Sequence, residues 1–185
     1  IAKLPVIDRD EAHFAQASRQ MLQSEQYFQI RFQEKTRFQK PPGINWLQAA
    51  SVRLLSDADK TSIWPYRLPS VLGAILSVLL TFFFAKRFVS GRTALLSAAF
   101  LATSLLLVVE AHMAVIDAFL LLSVVLMQGA LWIIYQAAMD NKPVSWHWPF
   151  FFWLAMVLGF ALKGVTPLVG FLSVLTLCVI ERRIG

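Results

Sequence analysis

Six consecutive positions near the start of the chain, Asp8-Arg9-Asp10-Glu11-Ala12-His13, hold three carboxylates, a guanidinium and an imidazole. A carboxylate in such a group can take the proton from an attacking hydroxyl, or hold that hydroxyl in line. The plainer role is helix capping. Asp8 is placed as an N-cap, with Glu11 three residues on as its capping-box partner. For the group as a whole, standing ahead of a long apolar region, chemistry is the better reading. Asp10 and Glu11 are then the catalytic candidates, with Asp8 and His13 as auxiliaries.

Three more places have the same character. Lys40 precedes Pro41-Pro42-Gly43, a rigid turn that can present an ammonium to a phosphate, and Arg37 stands close by as a second phosphate ligand. Asp117 opens an apolar run just after Val115 and Ile116. A carboxylate at the edge of a membrane span is costly unless paired or wet, which makes it a functional candidate. Glu110 and His112 are its auxiliaries. A metal site built from Glu110, His112 and Asp117 lacks dedicated ligand spacing, so no metal ligand is assigned. Lys163 lies between two apolar segments. It either snorkels to the interface or lines a polar pocket where Gly164 and Pro167 interrupt the helix.

The elements that must position these groups follow from periodicity. Residues 8–23 put Phe14, Ala17, Met21 and Leu22 on one face and Arg19, Gln20 and Gln23 on the other. This predicts an amphipathic helix lying on a membrane surface or on the protein. Tyr27 to Phe32 alternates like an extended segment. A second helix runs from about Ile44 to Leu55, with Trp46 as an interfacial anchor, and residues 56–61 form a polar turn. Apolar spans follow at about 65–85, 93–109 and 118–138, with shorter apolar segments at 149–161 and 165–180. The fold class is therefore all-α: a polytopic membrane region of about five spans (63–185) behind an outer loop with two amphipathic helices (1–62). Phe82-Phe83-Phe84 and Phe150-Phe151-Phe152-Trp153 are expected to face lipid, and Cys178 to be a buried, inert thiol.

Composition agrees. The chain is 57% hydrophobic and only 15% charged, against about 25% charged in soluble domains. The net charge of +6 does not point to nucleic acid, because the basic residues form no continuous face. They fit the positive-inside rule instead. Lys86, Arg87 and Arg92 are then cytoplasmic. Each span reverses the side, so Glu110–Asp117 is outside, Lys142 inside, Lys163 outside, and Arg182 and Arg183 inside. That parity gathers Asp10, Lys40, Asp117 and Lys163 on the exoplasmic face. Cytosolic nucleotide sugars do not reach that face, so a transferase there needs a membrane-delivered donor. Ile1-Ala2-Lys3-Leu4-Pro5 is no signal peptide, and the first residue is not Met, so a segment is expected to precede it.

The order of motifs carries a resemblance. An acidic helix start is followed by Lys40-Pro41-Pro42-Gly43-Ile44-Asn45-Trp46-Leu47-Gln48-Ala49, then Tyr66-Arg67-Leu68-Pro69. An aspartate after an outward loop and Leu162-Lys163-Gly164-Val165-Thr166-Pro167 complete the series. From Asp8 onward the chain resembles bacterial membrane glycosyltransferases of the GT-C fold, in particular the undecaprenyl-phosphate aminoarabinose (lipid A) transferases and the wider protein-mannosyltransferase-like group. The resemblance implies Asp10, with Glu11 beside it, as the catalytic base. It implies Lys40 as ligand of the lipid-linked phosphate, Asp117 as a second active-site carboxylate and Lys163 as a cavity lysine. His13 stands where these transferases often have arginine. Gln39 stands where the aminoarabinose transferases have a metal-holding glutamate, so that site is not carried over; no cofactor is certain and a divalent metal remains open. The family begins with a transmembrane helix before the acidic loop and continues beyond this length, so the chain is expected to be an N-terminal portion.

The resemblance implies a polyprenyl-phosphate-linked sugar as donor and lipid A, another glycan or a protein hydroxyl as acceptor. The setting would be the bacterial inner (plasma) membrane, with the site facing the periplasm. A polyprenyl phosphate is a good leaving group, since its second ionisation lies near pH ~6. It needs cations to absorb developing charge and an acceptor held in line, and direct displacement inverts the anomeric centre. Two other readings compete: a non-catalytic transporter subunit or scaffold, which would leave Asp10 and Asp117 apart, and a lipid-phosphate phosphotransferase or ligase, which would place a large outer loop late in the chain.

Overall fold

The computed structural model describes residues 5–6, 8–28, 31–32, 35–36, 40–55 and 62–184. Arg37, Gln39 and the turn expected at 56–61 lie outside the described residues.

Helix α1 (Arg9–Ser24) starts as the sequence predicts: the Asp8 carboxylate accepts the Asp10 backbone N–H at 2.5 Å. Glu25, at φ 55°, ends it in the left-handed region. Its apolar face, Phe14, Ala17, Met21 and Leu22, is buried. That face packs on the protein, against Ile44, Ala49 and Val52 and the loop Ala114–Ile116. Two short antiparallel strands follow, β1 (Arg31–Phe32) and β2 (Lys35–Thr36). Helix α2 (Gly43–Leu55) is tied to α1 by buried side chains. Ser18 Oγ donates to Gln48 Oε1 at 2.6 Å, and Asn45 Nδ2 donates to Ser18 Oγ at 2.9 Å. Gln48 Nε2 then reaches the Ala114 carbonyl at 3.1 Å. Buried polar groups of this kind must be satisfied, and once satisfied they fix one arrangement.

Helix α3 (Trp64–Ala85) has 22 residues, about 33 Å of rise, enough for a hydrocarbon core of about 30 Å. Helices α4 (Gly91–Thr103) and α5 (Leu105–Ala111) form one apolar stretch bent by 58°. Ser104 is the reason: it is extended, ends α4, and caps α5 by accepting the Leu107 N–H. Helix α6 (Asp117–Met139) has 23 residues and is also long and apolar enough to span. Helices α7 (His147–Leu162) and α8 (Pro167–Ile184) are apolar but shorter in the part that passes as membrane-like. Among the described residues, two helices are long and apolar enough to cross a membrane alone, or three with the bent pair counted as one broken span.

Small residues let the spans approach, as membrane packing favours. Gly73 of α3 lies so close to α6 that a Cβ there would meet the Phe119 Cα at 2.7 Å. Ala74, Leu107 and Ala118 pack beside it. Met127 and Ala130 of α6 interlock with Phe152, Ala155 and Met156 of α7. The aromatic runs are therefore not wholly lipid-facing. Phe150 and Trp153 are exposed, but Phe152 is in the core, as is Phe84. Cys178, expected to be buried, is exposed on α8.

Candidate functional site

The start of α3 lies against the start of α6, where Ser70 Oγ donates to the Val115 carbonyl at 3.0 Å and Gly73 packs on Phe119, and the end of α7 comes to the same place through Lys163. Asp10 and Lys40 arrive there from α1 and from the turn before α2. Lys40 Nζ stands 3.9 Å from Asp10 Oδ2 and 4.7 Å above the Phe14 ring. At the same end Lys163 Nζ, just past α7, stands 3.7 Å from Oδ1 of Asp117, the first residue of α6. Both are open ion pairs with solvent-accessible heads. Neither is a closed hydrogen bond, so each cation can turn to an anionic ligand.

The two lysine turns touch. Gly43 sits on the Ala161 backbone with no room for a side chain, and the Pro41 ring approaches Gly164, 3.9 Å from where a Cβ would stand. The Pro41-Pro42-Gly43 turn is thereby seated on the end of α7, and Lys40 and Lys163 share one neighbourhood.

Glu11 does something else. Its carboxylate is 1% exposed. Oε1 accepts from Arg67 Nε at 2.6 Å and from the Ala114 N–H at 2.9 Å, while Oε2 accepts from Arg67 Nη2 at 3.1 Å. The capping-box role expected for Glu11 is therefore not adopted. The desolvated guanidinium of Arg67, itself 1% exposed, demands the carboxylate more strongly than an exposed helix end does. Enclosed in this way, Glu11 holds α1 against α3 and the loop before α6, and so aims its neighbour Asp10. Arg67 is the residue that sequence reasoning left unassigned. Its signal was present: an arginine at the fourth position of an apolar span needs a partner.

The auxiliaries divide. Asp8 caps α1 and is exposed. His13 is half-buried, three residues after Asp10. His112 closes α5, its Nδ1 2.7 Å from the Val108 carbonyl. Glu110 lines, with Asp117, a cavity of about 410 Å³ whose other walls include Leu101, Ser104, Leu107 and Leu121. Glu110 Oε2 is buried there with no hydrogen-bond partner among the described residues, and Asp8 and Asp117 are within electrostatic reach of it. The cavity opens where α4 breaks from α5. Among the described residues no three His, Cys, Asp or Glu side chains are grouped to hold a metal ion.

A bundle of apolar helices, one stretch of them broken, with carboxylates and lysines collected at one end under amphipathic helices, is the architecture of a polytopic membrane protein. The chain belongs to the dolichyl-phosphate-mannose-protein mannosyltransferase family, whose model matches residues 39–184. It is 28% identical over 176 residues to the undecaprenyl phosphate-alpha-4-amino-4-deoxy-L-arabinose arabinosyl transferase of Edwardsiella ictaluri (strain 93-146), covering 94% of this chain and 31% of that protein. Its fold is similar to crystal structures of ArnT from Cupriavidus metallidurans. The TM-score is 0.81 for the apo state and 0.76 for the state bound to undecaprenyl phosphate; each is 22% identical and covers 96% of this chain and 32% of that one. The chain thus spans about a third of the length of the relatives it matches.

Proposed function

We propose that the chain carries the donor site of a membrane glycosyltransferase that moves a sugar from undecaprenyl phosphate to an exoplasmic acceptor. The observation that carries this reading is the gathering of Asp10–Lys40 and Asp117–Lys163 at one end of the bundle, beside a mostly apolar cavity bordered by Glu110. Lys40 and Lys163 bind the donor phosphate and take up the charge that develops as it leaves. Asp10 accepts the proton of the acceptor hydroxyl and holds that oxygen opposite the leaving phosphate. Attack from that side breaks the bond between the anomeric carbon and the phosphate oxygen, and inverts the centre. Glu11 is a positioning residue, acting through Arg67 and Ala114. Asp117 and Glu110 face the sugar. The Ser104 cavity receives the first isoprene units of the donor.

The relatives support the class of chemistry, since one is named as an undecaprenyl phosphate-alpha-4-amino-4-deoxy-L-arabinose arabinosyl transferase and a structural neighbour was solved with undecaprenyl phosphate bound. Lipid A is the acceptor we favour, and the bacterial inner membrane with a periplasm-facing site is the setting. The test is sugar transfer from a synthetic polyprenyl-phosphate sugar by the full-length enzyme in detergent, wild type against Asp10→Asn. Loss of transfer with lipid binding retained supports the reading. Undiminished transfer removes Asp10 from the chemical step.

A further inference from the structure

The opposite end of the bundle has a feature that sugar transfer does not use. We propose that it is a binding site for one anionic phospholipid of the adjacent membrane leaflet, with Arg87 and Gln136 on the headgroup phosphate. The backbone winds on past the end of α3: the Lys86 N–H bonds the Phe82 carbonyl and the Arg87 N–H bonds that of Phe84, each at 3.0 Å. Arg87 is thereby turned toward α7 and α6. Its guanidinium carbon lies 5.0 Å from the Phe83 ring centre and 5.2 Å from that of Trp148. Cation–π contacts of this kind steady the planar group by its faces and leave its N–H edge available.

Beside it lies a cavity of about 490 Å³ lined by Arg87, Phe88, Trp132, Ile133 and Gln136. Phe88 and Trp132 meet edge to face, 5.7 Å apart, and join the end of α3 to α6. Among the described residues no carboxylate stands within 4.0 Å of Lys86, Arg87 or Arg92. Of the acidic side chains at this end, Asp140 is paired with Lys142 at 2.9 Å, and Glu181 accepts from the Tyr135 hydroxyl at 2.9 Å. The forked edge of Arg87 matches two phosphate oxygens. The Gln136 amide, one helical turn beyond Trp132, donates to a third.

The ligand is an amphiphile and not a free anion, because Trp132 also borders an apolar groove. That groove, about 470 Å³ between α6 and α8, is lined by Leu131, Leu172 and Leu177 among others. It offers an acyl chain a bed directly below the headgroup position. Tryptophan and phenylalanine at the glycerol level are the expected interface, and basic pockets between membrane helices on the positive side select anionic lipids.

The test uses the full-length protein in nanodiscs of phosphatidylcholine doped with phosphatidylglycerol, with retained lipids counted by native mass spectrometry. Wild type retains one phosphatidylglycerol. Arg87→Gln lowers its occupancy about fivefold. Gln136→Leu, which touches no cation–π contact, lowers it too, and decides the matter should Arg87→Gln not fold. Arg92→Gln removes the same charge at the start of the next helix, α4, but lies outside the cavity, and leaves occupancy unchanged. An equal fall with Arg92→Gln would reduce the site to a diffuse basic surface and overturn the proposal. So would equal retention of phosphatidylcholine, unchanged occupancy with Gln136→Leu, or displacement of the lipid by excess inorganic phosphate.

Discussion

Arg67 and Glu11, 56 positions apart, form a two-point ion pair in which each side chain is 1% exposed. Breaking one side of such a pair strands a charge without water. Arg67→Leu is therefore expected to destabilise the protein by about 3–5 kcal/mol. The double variant Glu11→Leu/Arg67→Leu costs less than the sum of the two single changes. Thermal unfolding in detergent, arranged as a double-mutant cycle, reads the coupling. Additive losses would mean the pair is not a unit.

Asp10→Asn keeps the size of the side chain and removes its basicity. Transfer should fall by about a hundredfold to ten-thousandfold, the range for a lost general base. The affinity for undecaprenyl phosphate should stay, or rise slightly as repulsion of the donor phosphate is relieved. Single-turnover kinetics with lipid-binding titrations separate the two effects.

Lys40→Ala removes a charge-assisted contact to the donor phosphate. Donor binding should weaken roughly ten- to a hundredfold, with a smaller effect for a sugar-free neutral lipid. Lys163→Ala should act the same way. Binding measured with a phosphate-bearing and a phosphate-free polyprenyl chain gives the contrast. Equal losses on both lipids would argue that the lysines serve only the fold.

Gly43→Ala tests the seating of the Lys40 turn. The added methyl has no room above the Ala161 backbone, and overpacking of this kind costs about 1–3 kcal/mol. Because backbone must give way, Lys40 moves relative to Lys163. Donor affinity should fall together with the unfolding temperature. Gly91→Ala, in open space at the start of α4, is the control that changes neither.

The gathering of the candidate residues at one end of the bundle was readable before any fold was known. Charge parity alone placed Asp10, Lys40, Asp117 and Lys163 on one side, because crossing helices reverse sides without regard to detail. The pairing within that group was not readable. It depends on which turns touch, and Gly43 against Ala161 is a contact between backbones that no residue type announces. Glu11 was misread for a similar reason. A capping box is a local template, while the competing partner, Arg67, sits 56 positions away. The aromatic runs failed on geometry. Adjacent residues on a helix point about 100° apart, so a run of three phenylalanines cannot face lipid throughout, and Phe84 and Phe152 turn inward. The break at Ser104 was hidden because Thr103 and Ser104 interrupt a long apolar stretch no more visibly than Ser97 does, and a serine inside a span is ordinarily tolerated.

The grip of Glu11 on the Ala114 N–H closes a loop of 103 positions, and this bears on how the protein is made. α1 leaves the ribosome early but finds its seat only after α3 and the bent α4–α5 stretch have entered the bilayer. Lys163 emerges later still, on the order of ten seconds after Glu11 at ordinary translation rates. During that interval the two ion pairs at this end of the bundle cannot both form. The candidate site is thus assembled only once α7 and the turn after it have been made.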